Sequence, residues 1–67
     1  MVNVWDFARD LPKVKVTLKD GTVFVGGVIH VSDEEEMEAE ECYIAVEARD
    51  GDIGLFAESE IESIERV

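Results

Sequence analysis

The residues of this chain that could bind a cation, carry protons or dock on a basic surface are concentrated in one stretch, residues 32–41 (SDEEEMEAEE). Seven of its ten residues are carboxylates, which repel one another and cannot be packed, so the stretch predicts a solvated loop. A docking segment for a basic protein is a second interpretation, and its candidate residues are Asp33, Glu34, Glu35 and Glu36. Binding of Ca²⁺ or Mg²⁺ is a third, but the stretch lacks the alternating Asp or Asn ligands and the central Gly of a calcium loop.

The other reactive residue types do not form a recognisable catalytic set. His30 is the one histidine, and no Ser or Cys lies in a nucleophile elbow, so a catalytic triad cannot be assembled. Cys42 has no second cysteine for a disulfide and no partner at metal-site spacing, which predicts a small buried side chain. The sequence therefore predicts a protein without enzymatic activity, cofactor or metal ion.

The formal net charge of −11 is unevenly distributed along the chain. Residues 1–31 carry +1, whereas residues 32–67 carry fourteen carboxylates against two arginines, or −12. Binding to phosphates needs clustered Lys and Arg, so the second half is not a general nucleic-acid surface. Lys13, Lys15 and Lys19 alternate along one strand and form the one basic patch, for which solubility and edge protection are the expected roles.

The chain also lacks the sequence features of a membrane or exported protein. No apolar run approaches the length of a membrane span, and the first ten residues have no basic region followed by a hydrophobic one. We therefore expect a soluble, cytoplasmic protein without a membrane partner.

The structural elements that must position these residues form one domain, residues 1–67. Asn3 as a cap and apolar residues at helical spacing before Pro12 predict a helix over residues 4–10. Trp5 and Phe7 could form a binding patch, but we expect them to seat this helix on the core. Strands are predicted over residues 13–19, 22–31, 42–48 and 53–57, and residues 49–52, which contain a second Asp-Gly, are predicted to form the turn between the last two. A fifth strand is expected around Ile61, Ile64 and Val67, although their spacing is helical.

An Asp-Gly dipeptide between the first two strands is a hairpin signal that allows two registers. A two-residue turn would pair Val23 with Leu18. A three-residue turn, with Gly21 in the left-handed conformation, would pair Phe24 with Val16 instead. The residues of the two strands leave both registers open.

The number of strands and a glycine pair indicate how the sheet is shaped. Gly26 and Gly27 lie inside the second strand and mark a sharp bend, as at the corner of a small barrel. One helix and about five short strands in 67 residues predict an all-β fold, a small SH3-type barrel closed on itself. Chains of this size often gain stability by forming homo-oligomers.

Residues 14–33 resemble the first motif of Sm-like (LSm) proteins, in which a strand ending in Asp-Gly or Asn-Gly leads into a glycine-containing second strand. The matching positions are Gly21, Phe24, Gly26, Val28 and Val31. The resemblance favours the three-residue turn. The family's second motif, with its Arg-Gly, would fall at residues 55–61, which contain neither Arg nor Gly. The chain thus resembles a divergent member that has lost this motif.

The resemblance implies a five-stranded barrel with a short helix before it, assembled into a ring by pairing of the fourth strand of one subunit with the last strand of the next. The interface candidates are Val23, Val25, Leu55, Phe56 and Ile61. It also implies single-stranded RNA binding by the loops after strand two and before strand five. These would be residues 32–41 and 57–60 here, and their carboxylates would repel phosphates.

The predicted function is therefore a non-catalytic assembly or interaction module, a ring-type homo-oligomer that binds a basic protein through its acidic loops. Glu58, Ser59 and Glu60 of the second loop join the candidate partner-binding residues of the first. The alternative is single-stranded RNA binding through the basic residues of the helix and first strand, which the acidic loops disfavour.

Overall fold

The structure is a computed structural model that describes residues 2–33 and 40–67. Its elements are a 3₁₀-helix (Val4–Phe7), β1 (Lys13–Leu18), β2 (Val23–Ser32), β3 (Tyr43–Glu47), β4 (Ile53–Ala57), a second 3₁₀-helix (Glu58–Glu60) and β5 (Ile61–Arg66). The strands form one antiparallel sheet in the order β4-β3-β2-β1-β5. The predicted all-β class with five strands is confirmed. The outer strands are β4 and β5, and the described residues contain no ladder between them, so closure into a barrel stays a prediction.

The helix before β1 is shorter than predicted. Instead of spanning residues 4–10 it is a 3₁₀-helix of four residues, and the Asn3 side chain accepts a hydrogen bond from the Trp5 N–H at 3.1 Å, as expected of a cap. Proline disfavours the right-handed helical region in the residue before it, so the helix cannot continue to Leu11, which has a φ of 46°. No helix in the described part of the chain is long and apolar enough to cross a membrane.

The type of this helix decides which of its side chains reach the core. With three residues per turn, Val4 and Phe7 lie on one face, and Val4 is fully buried while Phe7 is half-buried against the core. Trp5 points away from that face and remains 44% exposed. The prediction that Trp5 packs in the core is therefore wrong.

The turns that join β1 to β2 and β3 to β4 have the same construction. In each, a glycine at φ near +90° donates its N–H to a carbonyl three residues earlier, and an aspartate accepts the N–H two residues later. The residues are Leu18, Asp20, Gly21 and Thr22 in the first turn and Ala48, Asp50, Gly51 and Asp52 in the second. The Thr22 N–H lowers the pKa of the Asp20 carboxyl. Phe24 pairs with Val16, which confirms the three-residue register.

The glycine pair of β2 lies where this strand changes partners. Residues up to Gly27 pair with β1, and Gly27 is also the first to pair with β3, opposite Glu47. A Cβ atom on Gly26 would overlap the backbone carbonyl of Glu47, so only glycine allows the end of β3 to approach β2 this closely. The bend therefore depends on Gly26, whereas a Cβ on Gly27 would meet no atom within 4 Å.

Two β-bulges explain apolar spacings that a regular strand cannot produce. On β5 the register shifts so that Ile64 pairs with Val16 and Ile61 with Leu18, which leaves Glu62 as the extra residue. Both isoleucines thus point inward although they are three positions apart. The helical spacing of the apolar residues around the fifth strand is therefore produced by a bulge in that strand. A bulge at Ile29 likewise lets Val28 and Val31 of β2 both point inward although they are three positions apart.

The core lies on the inner face of the bent sheet, below the first 3₁₀-helix. Its buried members are Val4, Val14, Val16, Val28, Val31, Ile44, Val46 and Ile61. Phe24 and Phe56 pack against it edge to face, with ring centroids 5.3 Å apart at 66°. Gly54 leaves the room for this pair, because an added Cβ would lie 2.5 Å from the Phe56 ring.

Candidate functional site

The two acidic segments identified in the sequence meet at one end of the sheet. The Glu41 carboxylate accepts hydrogen bonds from the N–H of Ser59 at 2.7 Å and from its hydroxyl at 2.9 Å. The N–H of Glu58 donates to the carbonyl of Cys42 at 3.0 Å. The end of the β2–β3 connection and the β4–β5 connection therefore form one continuous surface.

Hydrogen bonding fixes the charge of Glu41 within this surface. Its two hydrogen bonds from Ser59, with a smaller contribution from the Lys19 ammonium, lower the pKa of the Glu41 carboxyl. Donors to the ionised form favour ionisation. The carboxylate thus stays negative in mildly acidic solution as well as at neutral pH.

Two further carboxylates of the site satisfy backbone N–H groups. A Glu58 oxygen accepts the N–H of Val4 at 3.1 Å and holds the first 3₁₀-helix to the β4–β5 connection. A Glu60 oxygen accepts the N–H of Ala57 at 3.0 Å and closes the second 3₁₀-helix on itself. Such charge-assisted bonds position the side chains rigidly. Part of the negative charge that the sequence assigns to partner binding therefore also holds the site together.

The structure places the predicted partner-binding residues unequally. Asp33 is half-buried just after β2, Glu58 is half-buried, and Ser59 and Glu60 are exposed. Glu34, Glu35 and Glu36 lie outside the described residues. The acidic surface that the structure describes is therefore formed by the two ends of the β2–β3 connection and by the second 3₁₀-helix.

Cys42 lies at the edge of this surface and is half-buried, which is less than the full burial expected of it. Its sulfur accepts a hydrogen bond from the indole N–H of Trp5 at 3.2 Å. Trp5, which does not reach the core, instead joins the first 3₁₀-helix to the residue before β3. This contact has no signal in the sequence, because 37 positions separate its two residues.

The outer strands of the sheet are the second candidate site. On β4, Ile53 and Leu55 are 56% and 51% exposed, and the strand has no charged residue. Of the interface candidates, Ile61 is buried in the core and Phe56 is half-buried against Phe24. The remaining candidates, Val23 and Val25, are about half exposed on β2, away from the sheet edge.

Arg66 joins the first 3₁₀-helix to β5, and the sequence gives no indication of it. Its guanidinium donates to the Asp10 carboxylate at 2.7 Å and to the Asp6 carbonyl at 3.1 Å, and it lies 5.2 Å from the centre of the Phe7 ring. The bond from Arg66 is the largest cause that lowers the pKa of the Asp10 carboxyl. This anchor fixes the helix at the end of β5.

Within residues 2–33 and 40–67, no three His, Cys, Asp or Glu side chains are arranged to hold a metal ion. His30 is exposed on β2, opposite Ala45. Comparison of the chain with protein-family models, with curated proteins and with solved structures found no match. The site must therefore be interpreted from its own geometry.

Proposed function

We propose that this chain is a non-catalytic, cytoplasmic interaction module that assembles into a ring by pairing β4 of one copy with β5 of the next. The observation that carries the proposal is the state of β4, one of the two outer strands of the sheet. Proteins usually protect an edge strand with a charge, a proline, a bulge or a covering segment. β4 has no charged residue and no proline, and its pairing with β3 contains no register shift.

The residues of β4 favour association through this edge. Ile53 and Leu55 alternate on its exposed face, so an added strand would cover apolar surface as well as pair its backbone groups. β5 offers the other unpaired edge of the same sheet. An interface between two different edges is heterologous and closes into a ring when the rotation per subunit allows it.

The acidic surface gives the assembly a preference for basic partners. Glu41 and Glu58 are held in place by the hydrogen bonds described above, and every copy in a ring would carry the same carboxylates. Clustered negative charge attracts cationic segments and repels phosphates. We therefore propose a basic protein as the partner, in preference to RNA.

Sedimentation velocity at micromolar concentration tests the assembly. We expect an oligomer for the parent protein and a shift to monomer for Leu55→Lys, because a lysine on an edge strand opposes pairing. Ile29→Lys is the matched control: it also charges an exposed aliphatic residue, 42% exposed, but on an inner strand. A parent protein that sediments only as a monomer would refute the proposal.

The partner preference is tested separately with a lysine-rich peptide and with oligo-U at low ionic strength. We expect binding of the peptide that weakens with added salt and no retardation of oligo-U. The variant Glu34→Gln with Glu35→Gln should weaken peptide binding more than the equally charged control Glu47→Gln with Glu65→Gln. Tighter binding of oligo-U than of the peptide would favour the RNA alternative.

A further inference from the structure

A second binding site is indicated on the outer face of the sheet, where one residue leaves a gap. Lys13 of β1 pairs with Gly27 of β2, and Gly27 pairs with Glu47 of β3. Paired residues on neighbouring strands project from the same face, so the missing side chain of Gly27 opens a gap between a lysine and a glutamate. A Cβ atom at Gly27 would meet nothing within 4 Å, which shows that no neighbouring residue fills the gap.

This gap is part of a groove of about 440 Å³ lined by Lys13, Val25, Gly26, Gly27, Glu47, Arg49 and Val67. Val25 and Val67 supply apolar walls, and Gly27 leaves the floor between them without a side chain. Two side-chain cations, Lys13 and Arg49, oppose a single side-chain carboxylate, that of Glu47. The volume lies within the range of about 300–1,000 Å³ typical of small-molecule sites, which combine apolar walls with a few convergent polar groups.

The charge of this groove differs from that of the surrounding surface. Three other grooves among the described residues are lined by at least as many side-chain carboxylates as side-chain cations. On a chain with a net charge of −11, an anionic ligand is repelled from most of the surface and attracted locally to the groove that Lys13 and Arg49 both line. No described residue forms a hydrogen bond or an ion pair with the side chain of Lys13 or with that of Arg49.

We propose that this groove binds a small organic monoanion: its carboxylate or sulfonate lies between Lys13 and Arg49, and its apolar body lies over Gly27 against Val25 and Val67. The apolar body distinguishes such a ligand from inorganic phosphate, which would gain nothing from the two valines. The site uses neither the β4 edge nor the acidic surface. A negative result for either proposal would therefore leave the other unaffected.

Titration of the ¹⁵N-labelled protein with 2-naphthoate, followed by amide chemical shifts, tests the site. We expect saturable shifts centred on Val25, Gly27 and Val67. The neutral analogue 2-naphthalenemethanol should bind at least about fivefold more weakly, because it lacks the charge-assisted contact. Equal affinity for the two compounds, or shifts centred on Ile53 and Leu55, would overturn the proposal.

Variants locate the ligand. Gly27→Val fills the gap with a strand-forming side chain and should abolish binding while leaving the thermal midpoint unchanged or higher. Lys13→Met and Arg49→Met should each weaken 2-naphthoate binding at least about fivefold. Lys19→Met makes the same charge change outside the groove and should have no effect. Retained affinity in Gly27→Val, or an equal loss in Lys19→Met and Lys13→Met, would exclude this site.

Discussion

Replacement of Gly26 by alanine adds one methyl group at the bend of β2, where the backbone of β3 already occupies the space. The new Cβ would overlap the carbonyl oxygen of Glu47, lie 2.6 Å from its carbonyl carbon and lie 3.0 Å from the Cα of Ala48. These are backbone atoms, which cannot rotate away as a flexible side chain does. The two strands must therefore separate at the point where β2 changes partners.

The expected cost follows from this contact. Overpacking costs about 1–3 kcal/mol and occasionally more, and a clash with backbone sets it at the upper end, about 3 kcal/mol. A chain of 67 residues has a free energy of unfolding of about 3–10 kcal/mol. The loss is thus about three tenths or more of the total, and it lowers the thermal midpoint by about 12–24 °C.

The neighbouring glycine is the control for this measurement. Gly27→Ala adds the same methyl group on the same strand, but into open space, and should gain about 0.5–1 kcal/mol because alanine loses less backbone entropy on folding. Urea unfolding followed by far-ultraviolet circular dichroism gives both free energies. A Gly26→Ala variant within about 0.5 kcal/mol of the parent would refute the close approach of β2 and β3.

Three further changes test the anchors described above. The pKa of Asp10 is lowered from 3.8 in the folded state. The stability difference between the parent and Asp10→Asn should therefore be present above pH 3.8 and shrink as the pH falls below it. Thermal melts that keep the full difference at about pH 2 would contradict the ion pair between Asp10 and Arg66. Ser59→Ala keeps the backbone N–H, the larger cause, and removes the hydroxyl donor, so it should raise the pKa of Glu41 only part of the way towards 4.5, measured by carboxyl ¹³C NMR, whereas Ser63→Ala should leave it unchanged. Leu11→Gly should raise the free energy of unfolding by about 0.5–1 kcal/mol, because φ is 46° there and a left-handed conformation costs other residues more than glycine. Leu11→Val moves the branch of the side chain to Cβ, next to the backbone, and should be less stable than the parent.

The local signals of the sequence predicted the fold well where one residue type has one structural use. The Asp-Gly dipeptides placed both turns, since glycine alone adopts φ near +90° without strain. Gly26 marked the place where β2 changes partners, because only a residue without a Cβ fits there against Glu47. The spacing of Ile61 and Ile64 was harder to interpret, because a bulged strand and a helix can both place residues three apart on one face.

The contacts of the candidate site were much less predictable. The segments 32–41 and 57–60 were recognisable as acidic, but their connection through Glu41 and Ser59 joins residues 18 positions apart. Arg66 and Asp10 are 56 positions apart. Such pairs carry no local pattern, because their proximity is produced by the order of strands in the sheet.

The sequence by itself determined the all-β class, the two turns, the bend and the concentration of negative charge in the second half of the chain. These properties depend on backbone preferences, apolar alternation and composition, which act over a few residues. Only the tertiary structure decided that three glutamates hold backbone groups or a serine, that β4 and β5 are the outer strands, and that a groove with two cations surrounds Gly27. Each of these depends on residues distant in the chain that come together when the strands pair.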